Sequence, residues 1–383
     1  MIEVSNMDKV LRSVYLDVVS ASLNEKTSAF YKKVIKSGTN IYGKEVIAPT
    51  RFGINGGVAC SAETGNVPDS GSPTLVNLKA PLVNIYGNVE ITDKLLRISD
   101  TGMGSAVDVL NYEIDSLLDA AKFNLRRMLF QNGTGELAKT SAAGASSATI
   151  AVTDTRNLVE GMVIDFVDDD EVVSSGFRIN TVDRANGTIK LDKSVPNTVP
   201  SGAIIAIKGS YNCEMYGIPY LFDPDCTLYG NTRSINKFAL PSYFTTNAVN
   251  YAKLLEVVDG LEEIGAETPN MIIGGYAMRR RFINAMNTAQ LNVEILNEDG
   301  FKAPGFNGIP IYAEPFAGDN VMYFLNTDDF VLAQLGDWSW VEGTTHEILH
   351  PIQGKAAYTA TLVKYCNLLC RKPKYQAQLT YSA

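Results

Sequence analysis

One stretch, residues 105–131, constrains the fold of this chain more than any other. No glycine or proline interrupts it, Ser105 is placed to cap its start, and Asn132-Gly133 supplies a stop. Apolar residues recur every three or four positions, which is the spacing of one helix face. The stretch therefore predicts a single rigid helix of roughly 40 Å. Its apolar positions are Val107, Leu110, Ile114, Leu117/Leu118, Ala121, Leu125 and Met128.

The composition is typical of a soluble globular protein. The chain has 383 residues, 45% of them hydrophobic and 20% charged, which is enough for two or three modules. No apolar run approaches the ~20 residues that cross a bilayer, and the start lacks the basic and apolar regions of a secretory signal. A formal net charge of −9 disfavours a sequence-reading nucleic-acid binder, because such proteins carry a basic face. We expect a protein that is made in a cytosol.

The cysteines do not form a disulfide pattern. There are five, an odd number, and they are widely spaced. The last two are four residues apart, but a lone pair is a weak zinc site. We expect reduced, semi-buried thiols at Cys60, Cys213, Cys226, Cys366 and Cys370.

Residues 53–87 are rich in glycine and poor in charge, so they cannot bury a core of their own. The preceding segment, 46–52, has the pattern of a short strand. Residues 82–92 alternate, with Val83, Ile85, Val89 and Ile91 on one face. The two patterns predict a long hairpin with 82–92 as its returning half, reaching toward another subunit.

The rest of the chain reads as a mixture of helices and strands. Residues 1–45 are predicted to form an N-terminal arm, helical at 7–20 and again for a turn or two at 27–35. Residues 146–210 are predicted to be an inserted barrel-like or sandwich-like β-module, since Asn186-Gly187 is a strong hairpin signal. Its expected strands are 149–152, 162–167, 177–182, 188–191 and 203–207. Beyond it we expect helices at 251–264 and 276–286, and strands at 270–273, 308–313, 321–325, 330–335, 356–369 and 375–381.

The segment His346-Glu347-Ile348-Leu349-His350 matches H-E-x-x-H, in which a helix presents two zinc-binding histidines and a glutamate acts as general base. A nearby glycine and the following Pro351 leave no room for the helical turns that this motif needs. No Asp, Glu or His follows His350, so no downstream third ligand is available. We interpret the segment as a strand in which His346, Ile348 and His350 share one face.

No other motif indicates catalysis. The acidic run 168–171 lacks the alternation and central glycine of an EF-hand loop, so it is interpreted as a hairpin tip. The triplet Arg279-Arg280-Arg281 is interpreted as a helix surface or an intersubunit salt bridge, and the adjacent Glu262-Glu263 point apart on a helix. The chain has neither a P-loop nor a credible dinucleotide fingerprint. We predict a protein that is not an enzyme, without catalytic, cofactor-binding or metal-binding residues and without a cofactor.

The order of these parts resembles that of tailed-phage major capsid proteins with the HK97-type fold. AETGNVPDSG resembles the tip of the family's extension loop, and KAPLVNIYGNVEITDKLL its returning strand. The helix at 105–131 resembles the spine helix, and LFQNGTGE its glycine-rich end. MYGIP resumes the pattern after the inserted module, and NMIIGGYAMRRRFINA, FNGIPIYAEPF and VMYFLNTDDFVL resemble the axial domain and the late strands.

The resemblance implies an α+β fold with a long spine helix, an extended Gly-rich β-hairpin loop, a mixed-sheet axial domain and an inserted all-β module. One face of the helix, led by Leu110, Ile114, Leu117 and Ala121, is expected to pack on a sheet of its own subunit. The charged face (Asp115, Asp119, Lys122 and Arg126) is expected to be free for neighbours or for the shell interior. The implied domains are 1–45, N-terminal arm; 46–100, extension loop with flanking strands; 101–145, spine helix of the peripheral domain; 146–210, inserted module; 211–340, axial domain with connections; and 341–383, C-terminal strands of the peripheral domain.

The function implied by the resemblance is that of a structural subunit that self-assembles into an icosahedral shell around phage double-stranded DNA. The expected partners are copies of itself in pentamers and hexamers, a separate scaffolding protein, a portal, a decoration protein and DNA bound without sequence specificity, but no membrane. The expected location is the virion capsid, assembled in the host bacterial cytoplasm. The alternative is the shell of an encapsulin-type compartment. A carbohydrate- or protein-binding β-protein would explain the inserted module but not the helix and the extension loop. A zinc metallopeptidase that uses His346, Glu347 and His350 is a remote alternative.

Overall fold

We describe a computed structural model of the chain. The structure describes residues 28–53, 55–72, 74–94, 104–143, 147–196, 199–225, 227–233, 235, 240–289, 294–298, 301–342 and 348–382. The helix predicted at 7–20 lies outside these residues. Among the residues described, no helix is long and apolar enough to span a membrane.

The helices are, in chain order, α1 (Ala29–Lys33), α2 (Gly104–Met128), α3 (Ile218–Phe222), α4 (Tyr251–Glu263) and α5 (Tyr276–Thr288). The strands are β1 (Ile35–Ser37), β2 (Ile41–Tyr42), β3 (Glu45–Phe52), β4 (Thr74–Pro81), β5 (Val83–Thr92), β6 (Glu136–Lys139), β7 (Thr149–Ala151), β8 (Val163–Asp168), β9 (Glu171–Asp183), β10 (Thr188–Leu191), β11 (Ile204–Ile207), β12 (Ser242–Thr246), β13 (Met271–Gly274), β14 (Glu294–Glu298), β15 (Phe301–Phe306), β16 (Ile309–Ala313), β17 (Val321–Leu325), β18 (Phe330–Gln334), β19 (Ser339–Trp340), β20 (His350–Pro351), β21 (Ala357–Cys370) and β22 (Ala377–Tyr381).

A six-stranded sheet is built around β21. Strand β5 pairs antiparallel with one edge of β21, from Thr92 opposite Ala357 to Val83 opposite Cys366. Strands β20, β19 and β18 pair in succession along the other edge, and β1 joins β18 in parallel. In β5 the apolar positions turn inward and the positions between them are exposed, as the alternation predicts. Both the strand at 82–92 and the strand at 356–369 are therefore confirmed.

Helix α2 packs on this sheet through the predicted stripe. Ile114, Leu118 and Leu125 are buried in one core with β5 and β21. The approach to β5 is close at Gly87, where an added Cβ would lie 3.0 Å from Cδ1 of Leu117. The predicted rod and its buried face are confirmed for the part of the stripe whose side chains are described.

The helix ends at Met128, earlier than the predicted residue 131. The carbonyls just past this end accept hydrogen bonds from a distant segment: Ile218 N–H donates to Leu129 O at 2.8 Å, and Gly217 N–H donates to Gln131 O at 3.0 Å. A Cβ on Gly217 would lie 2.4 Å from Met128 O, so only glycine allows this approach. The incoming chain thus takes the place of further helical turns.

The hairpin differs from the prediction in its returning half. Strands β2, β3 and β4 form a separate three-stranded sheet, in which β3 and β4 pair from Glu45 opposite Pro81 to Phe52 opposite Thr74. The returning half is therefore β4, and the assignment of 82–92 to that role was wrong. The reason is physical: β5 finds a longer partner in β21 than the hairpin offers.

The strands between 136 and 207 form a small antiparallel barrel. They are ordered β6-β11-β8-β9-β10-β7, and a bridge between Thr140 and Val152 joins the last strand to the first. The barrel has its own apolar core. All five predicted strands are present, and β6 adds a sixth that precedes residue 146. Asp169 and Asp170 adopt positive φ between β8 and β9, so the predicted acidic hairpin tip is confirmed.

A seven-stranded mixed sheet carries helices α4 and α5. Its order is β12-β22-β17-β13-β16-β15-β14, and residues from both helices share its core. The sheets do not divide at residue 340, where the predicted axial and C-terminal segments meet. Strands β18 and β19 lie before that point but pair with β21, whereas β22 lies after it and pairs with β12 and β17. The sheet that a strand joins is therefore decided by its pairing partners and not by its position in the sequence.

Candidate assembly site

The paired part of β3 and β4 forms the base of the hairpin, and hydrogen bonds along it hold the hairpin to the body of the protein. Asn231 Nδ2 donates to Asn77 O at 3.1 Å. Lys79 N–H donates to Tyr229 O at 3.0 Å, and Thr50 Oγ1 donates to Arg371 O at 2.7 Å. On the inner face of this base Val46, Leu78 and Ala80 are buried. The base is therefore a fixed root from which the rest of the hairpin extends.

We call residues 51–77, the outer part of these strands and the loop between them, the distal arm. None of its described residues is buried. Val58 is 88% exposed, Val67 87% and Leu75 67%, although all three are apolar. The single subunit therefore leaves these three apolar side chains uncovered.

A buried asparagine connects the root to the six-stranded sheet around β21, which we call the central sheet. Asn367 lies in β21, and its Nδ2 donates to Pro81 O at 2.6 Å. Its Oδ1 accepts from the backbone N–H of Tyr216 at 2.9 Å. One side chain thus links the end of the hairpin, the longest strand and the segment that leaves the barrel.

The C-terminal end of α2 is anchored by a buried ion pair. Arg127 Nη1 donates to Glu214 Oε2 at 2.8 Å, and Nη2 donates to Oε1, so the contact is bidentate. The side chains are 0% and 1% exposed. Because a bidentate guanidinium–carboxylate contact fixes direction as well as distance, this pair sets where the chain re-enters the body after the barrel.

A second pair joins α2 to the seven-stranded sheet. Arg126 Nε donates to Glu314 Oε2 at 2.9 Å, and the Glu314 carboxyl is almost fully buried. Burial raises the pKa of Glu314, against the opposing effect of the Arg126 hydrogen bond. The expectation that Arg126 is free for neighbours was therefore wrong, whereas Asp115 and Asp119 are exposed as expected. Lys122 is half-buried and pairs with Asp119.

The arrangement of the sheets, helix α2 and the hairpin β3–β4 also occurs in a solved structure. The chain matches the cyanophage A-1(L) capsid asymmetric unit with a TM-score of 0.52 over 91% of this chain and 90% of that one, at 10% identity. The chain has the HK97-type fold.

Two further structures resemble it less closely. The SrpI encapsulin complex of Synechococcus elongatus PCC 7942 matches with a TM-score of 0.47, 10% identity and coverage of 94% of this chain and 91% of that one. Mycobacterium phage Bobi matches with a TM-score of 0.46, 8% identity and coverage of 100% and 99%. No protein-family model matches the sequence, and no curated protein sequence matches it. In the terms of this fold, α2 is the spine helix and β3–β4 with its loop is the extension loop.

The described part of the H-E-x-x-H segment is not helical. His350 lies in β20 opposite Thr359 of β21, and its Nε2 is 3.1 Å from Val341 O. Ile348 is buried, while His346 and Glu347 lie outside the described residues. Residues 348–350 therefore do not form the helix that would present zinc-binding histidines one turn apart. Within the described residues, no group of three or more His, Cys, Asp or Glu side chains is positioned to hold a metal ion.

The thiols differ from the expected semi-buried state. Cys60 and Cys213 are exposed, whereas Cys366 and Cys370 are buried in β21. Burial raises the pKa of Cys366 to about 12 and that of Cys370 well above its ordinary value. The two buried thiols are therefore protonated core side chains, and Cys226 lies outside the described residues.

Proposed function

We propose that this chain is the major capsid subunit of a tailed phage, which self-assembles into an icosahedral shell around double-stranded DNA. The observation that carries the proposal is the distal arm. On an HK97-type fold, the segment 51–77 leaves apolar side chains uncovered, and none of its residues that the structure describes is buried. A second subunit supplies the surface that these side chains need.

The physical properties of the chain support a structural role. A shell is held by large repeated interfaces, and an arm that orders on a neighbour extends such an interface beyond the body of the subunit. The net charge of −9 suits a wall around packed DNA, because a basic wall would bind the phosphates tightly. We place the central sheet and the spine helix in the peripheral part of the subunit, and the seven-stranded sheet in the axial part.

The proposed partners follow from this role. They are other copies in pentamers and hexamers, a separate scaffolding protein, a portal, a decoration protein and DNA held without sequence readout. The proposed place is the virion capsid, built in the host bacterial cytoplasm. The chain is proposed to work without enzymatic activity or a cofactor.

Electron microscopy of the expressed chain, alone and in the presence of phage lysate, tests the proposal. Closed shells of uniform diameter are expected, and shells from infected cells are expected to retain double-stranded DNA. Shells that enclose a protein cargo and no DNA would favour the encapsulin-type alternative. A monodisperse monomer under all conditions would contradict both.

Assembly is expected to depend on the distal arm. The Leu75→Asp variant puts a charge where we expect an apolar intersubunit contact, so it is expected to raise the protein concentration needed for shell formation by about tenfold or more. Light scattering during assembly measures that concentration. The folded subunit is expected to keep its thermal midpoint, because Leu75 is largely exposed.

The matched control is Asn77→Asp, on the same face of β4 and closer to the root. It adds the same charge at a position that is already polar, and it is expected to assemble like the wild type. Equal assembly by the Leu75→Asp variant would show that the arm is not an intersubunit contact.

The segment 346–350 is expected to have neither a catalytic nor a metal-binding role. The His346→Ala and Glu347→Ala variants are both expected to form shells at the wild-type concentration, because neither residue serves a reaction. Metal analysis of the purified wild type is expected to find no stoichiometric zinc. Zinc at one ion per chain that a chelator removes, together with loss of shells, would restore the metal-site interpretation.

A further inference from the structure

Helix α4 has an exposed acidic stripe next to a groove. Glu256, Asp259 and Glu263 are three and four residues apart, so they lie on one side of the helix, and all three are exposed. They line a groove of about 430 Å³, together with Phe244 of β12 and Leu255. Glu256 pairs with Lys253, while Asp259 and Glu263 form no ion pair with any described residue. The groove thus combines an apolar floor with an acidic rim.

Helix α5 has the opposite character. Arg281 is used within the subunit: it donates to Asp319 O at 2.9 Å, and its guanidinium lies 3.9 Å from the ring centre of Tyr381. Arg280 is exposed and forms no ion pair with the residues that the structure describes. Arg279 lies 5.6 Å from the ring centre of Tyr276, which is itself 43% exposed. Two arginines and a tyrosine, types enriched at the centres of interfaces, are therefore presented together.

The two surfaces match in both charge and polarity. Helix α4 packs on β12 and β22 and helix α5 on β13 and β16, and the two helices also contact each other. No ion pair joins their charged residues among those described. A contact between two different surfaces of identical subunits is heterologous, and repeated contacts of this kind generate rings when the rotation closes.

We propose that the acidic groove on α4 of one subunit receives Tyr276, Arg279 and Arg280 on α5 of the next subunit around a capsomer ring. The inference rests on the proposed shell function, and it names the contact that joins neighbours in one ring. The occupant is a second copy of this chain, because the same chain carries the complementary surface. Charged rims of this kind fix register and exclude wrong orientations more than they add affinity.

Charge reversal tests the contact. The Glu263→Lys and Arg280→Glu variants each place like charges opposite one another, so each is expected to need about tenfold more protein for shell assembly. The double variant, with both substitutions in one chain, restores opposite charges and is expected to assemble within about twofold of the wild type. Circular dichroism and the thermal midpoint establish that each variant is folded.

Glu262→Lys is the matched control, since Glu262 accepts a hydrogen bond from Thr268 and does not line the groove. It is expected to assemble like the wild type. Wild-type assembly by both single variants, or no recovery in the double variant, would overturn this inference while wild-type shells still supported the capsid function. Loss of DNA retention by the Arg280→Glu variant at unchanged assembly would assign the arginines to DNA and also overturn it. A wild type that forms no shells would overturn the capsid function itself.

Discussion

The Arg127→Ala subunit is expected to lose about 3–5 kcal/mol of folding free energy. The substitution removes the guanidinium that pairs with Glu214 where both side chains are almost fully buried. The carboxylate is then left in the interior without a counter-charge, which costs more than the pair itself contributes. Denaturant unfolding followed by circular dichroism measures the loss.

Two further variants isolate this effect. Lys122→Ala removes an ion pair from the same helix whose acidic partner, Asp119, is mostly exposed, so it is expected to cost about 1 kcal/mol or less. The double variant Arg127→Met with Glu214→Leu replaces both charges by apolar groups and is expected to recover most of the stability. A loss below about 1 kcal/mol in Arg127→Ala would show that the buried pair does not hold the end of the spine helix.

The Ile114→Asp subunit is expected to fail to fold or to assemble. Ile114 is 1% exposed and faces the central sheet, so the variant buries a carboxylate among apolar side chains at a cost of several kcal/mol. Soluble yield and light scattering measure the two outcomes. Ser116→Asp adds the same charge to an exposed position of the helix and is expected to fold and assemble.

This result also tests which element organises the fold. Shells that persist in Ile114→Asp but disappear in His346→Ala and Glu347→Ala would mean that the histidine segment, not the spine helix, is the organising feature. The buried stripe of the helix predicts the reverse order. The comparison uses one assembly measurement for all three variants.

Patterns of local periodicity were sufficient to predict the helix, the barrel strands and the strand at 82–92, because burial on one face leaves a direct trace in the sequence. They did not reveal which strands pair. The returning half of the hairpin was misplaced because 82–92 has the stronger alternation, while its partner β21 lies near the other end of the chain. The end of the helix was misplaced because Gly217 and Ile218, far along the chain, donate hydrogen bonds to the carbonyls of the residues just past Met128.

The buried polar residues that anchor the candidate site could be predicted from the sequence even less well. Arg127 reads as one more basic residue at the end of a helix, and Glu214 as an isolated acid in a loop-rich segment. Nothing in their spacing indicates that they meet in the interior. Asn367 is likewise a single polar residue in an apolar strand, and only the structure shows that it fastens the extension loop. A polar residue inside an otherwise apolar run was the one available signal.

The central claim is that the distal arm completes an HK97-type subunit by covering part of a neighbour. A cryo-electron microscopy reconstruction of the assembled particle tests it most directly. The account predicts a closed icosahedral shell in which residues 51–77 lie against an adjacent subunit, with Val58, Val67 and Leu75 buried in that contact. Particles in which the arm folds back on its own subunit, or a chain that stays monomeric at every concentration and salt condition, would contradict it.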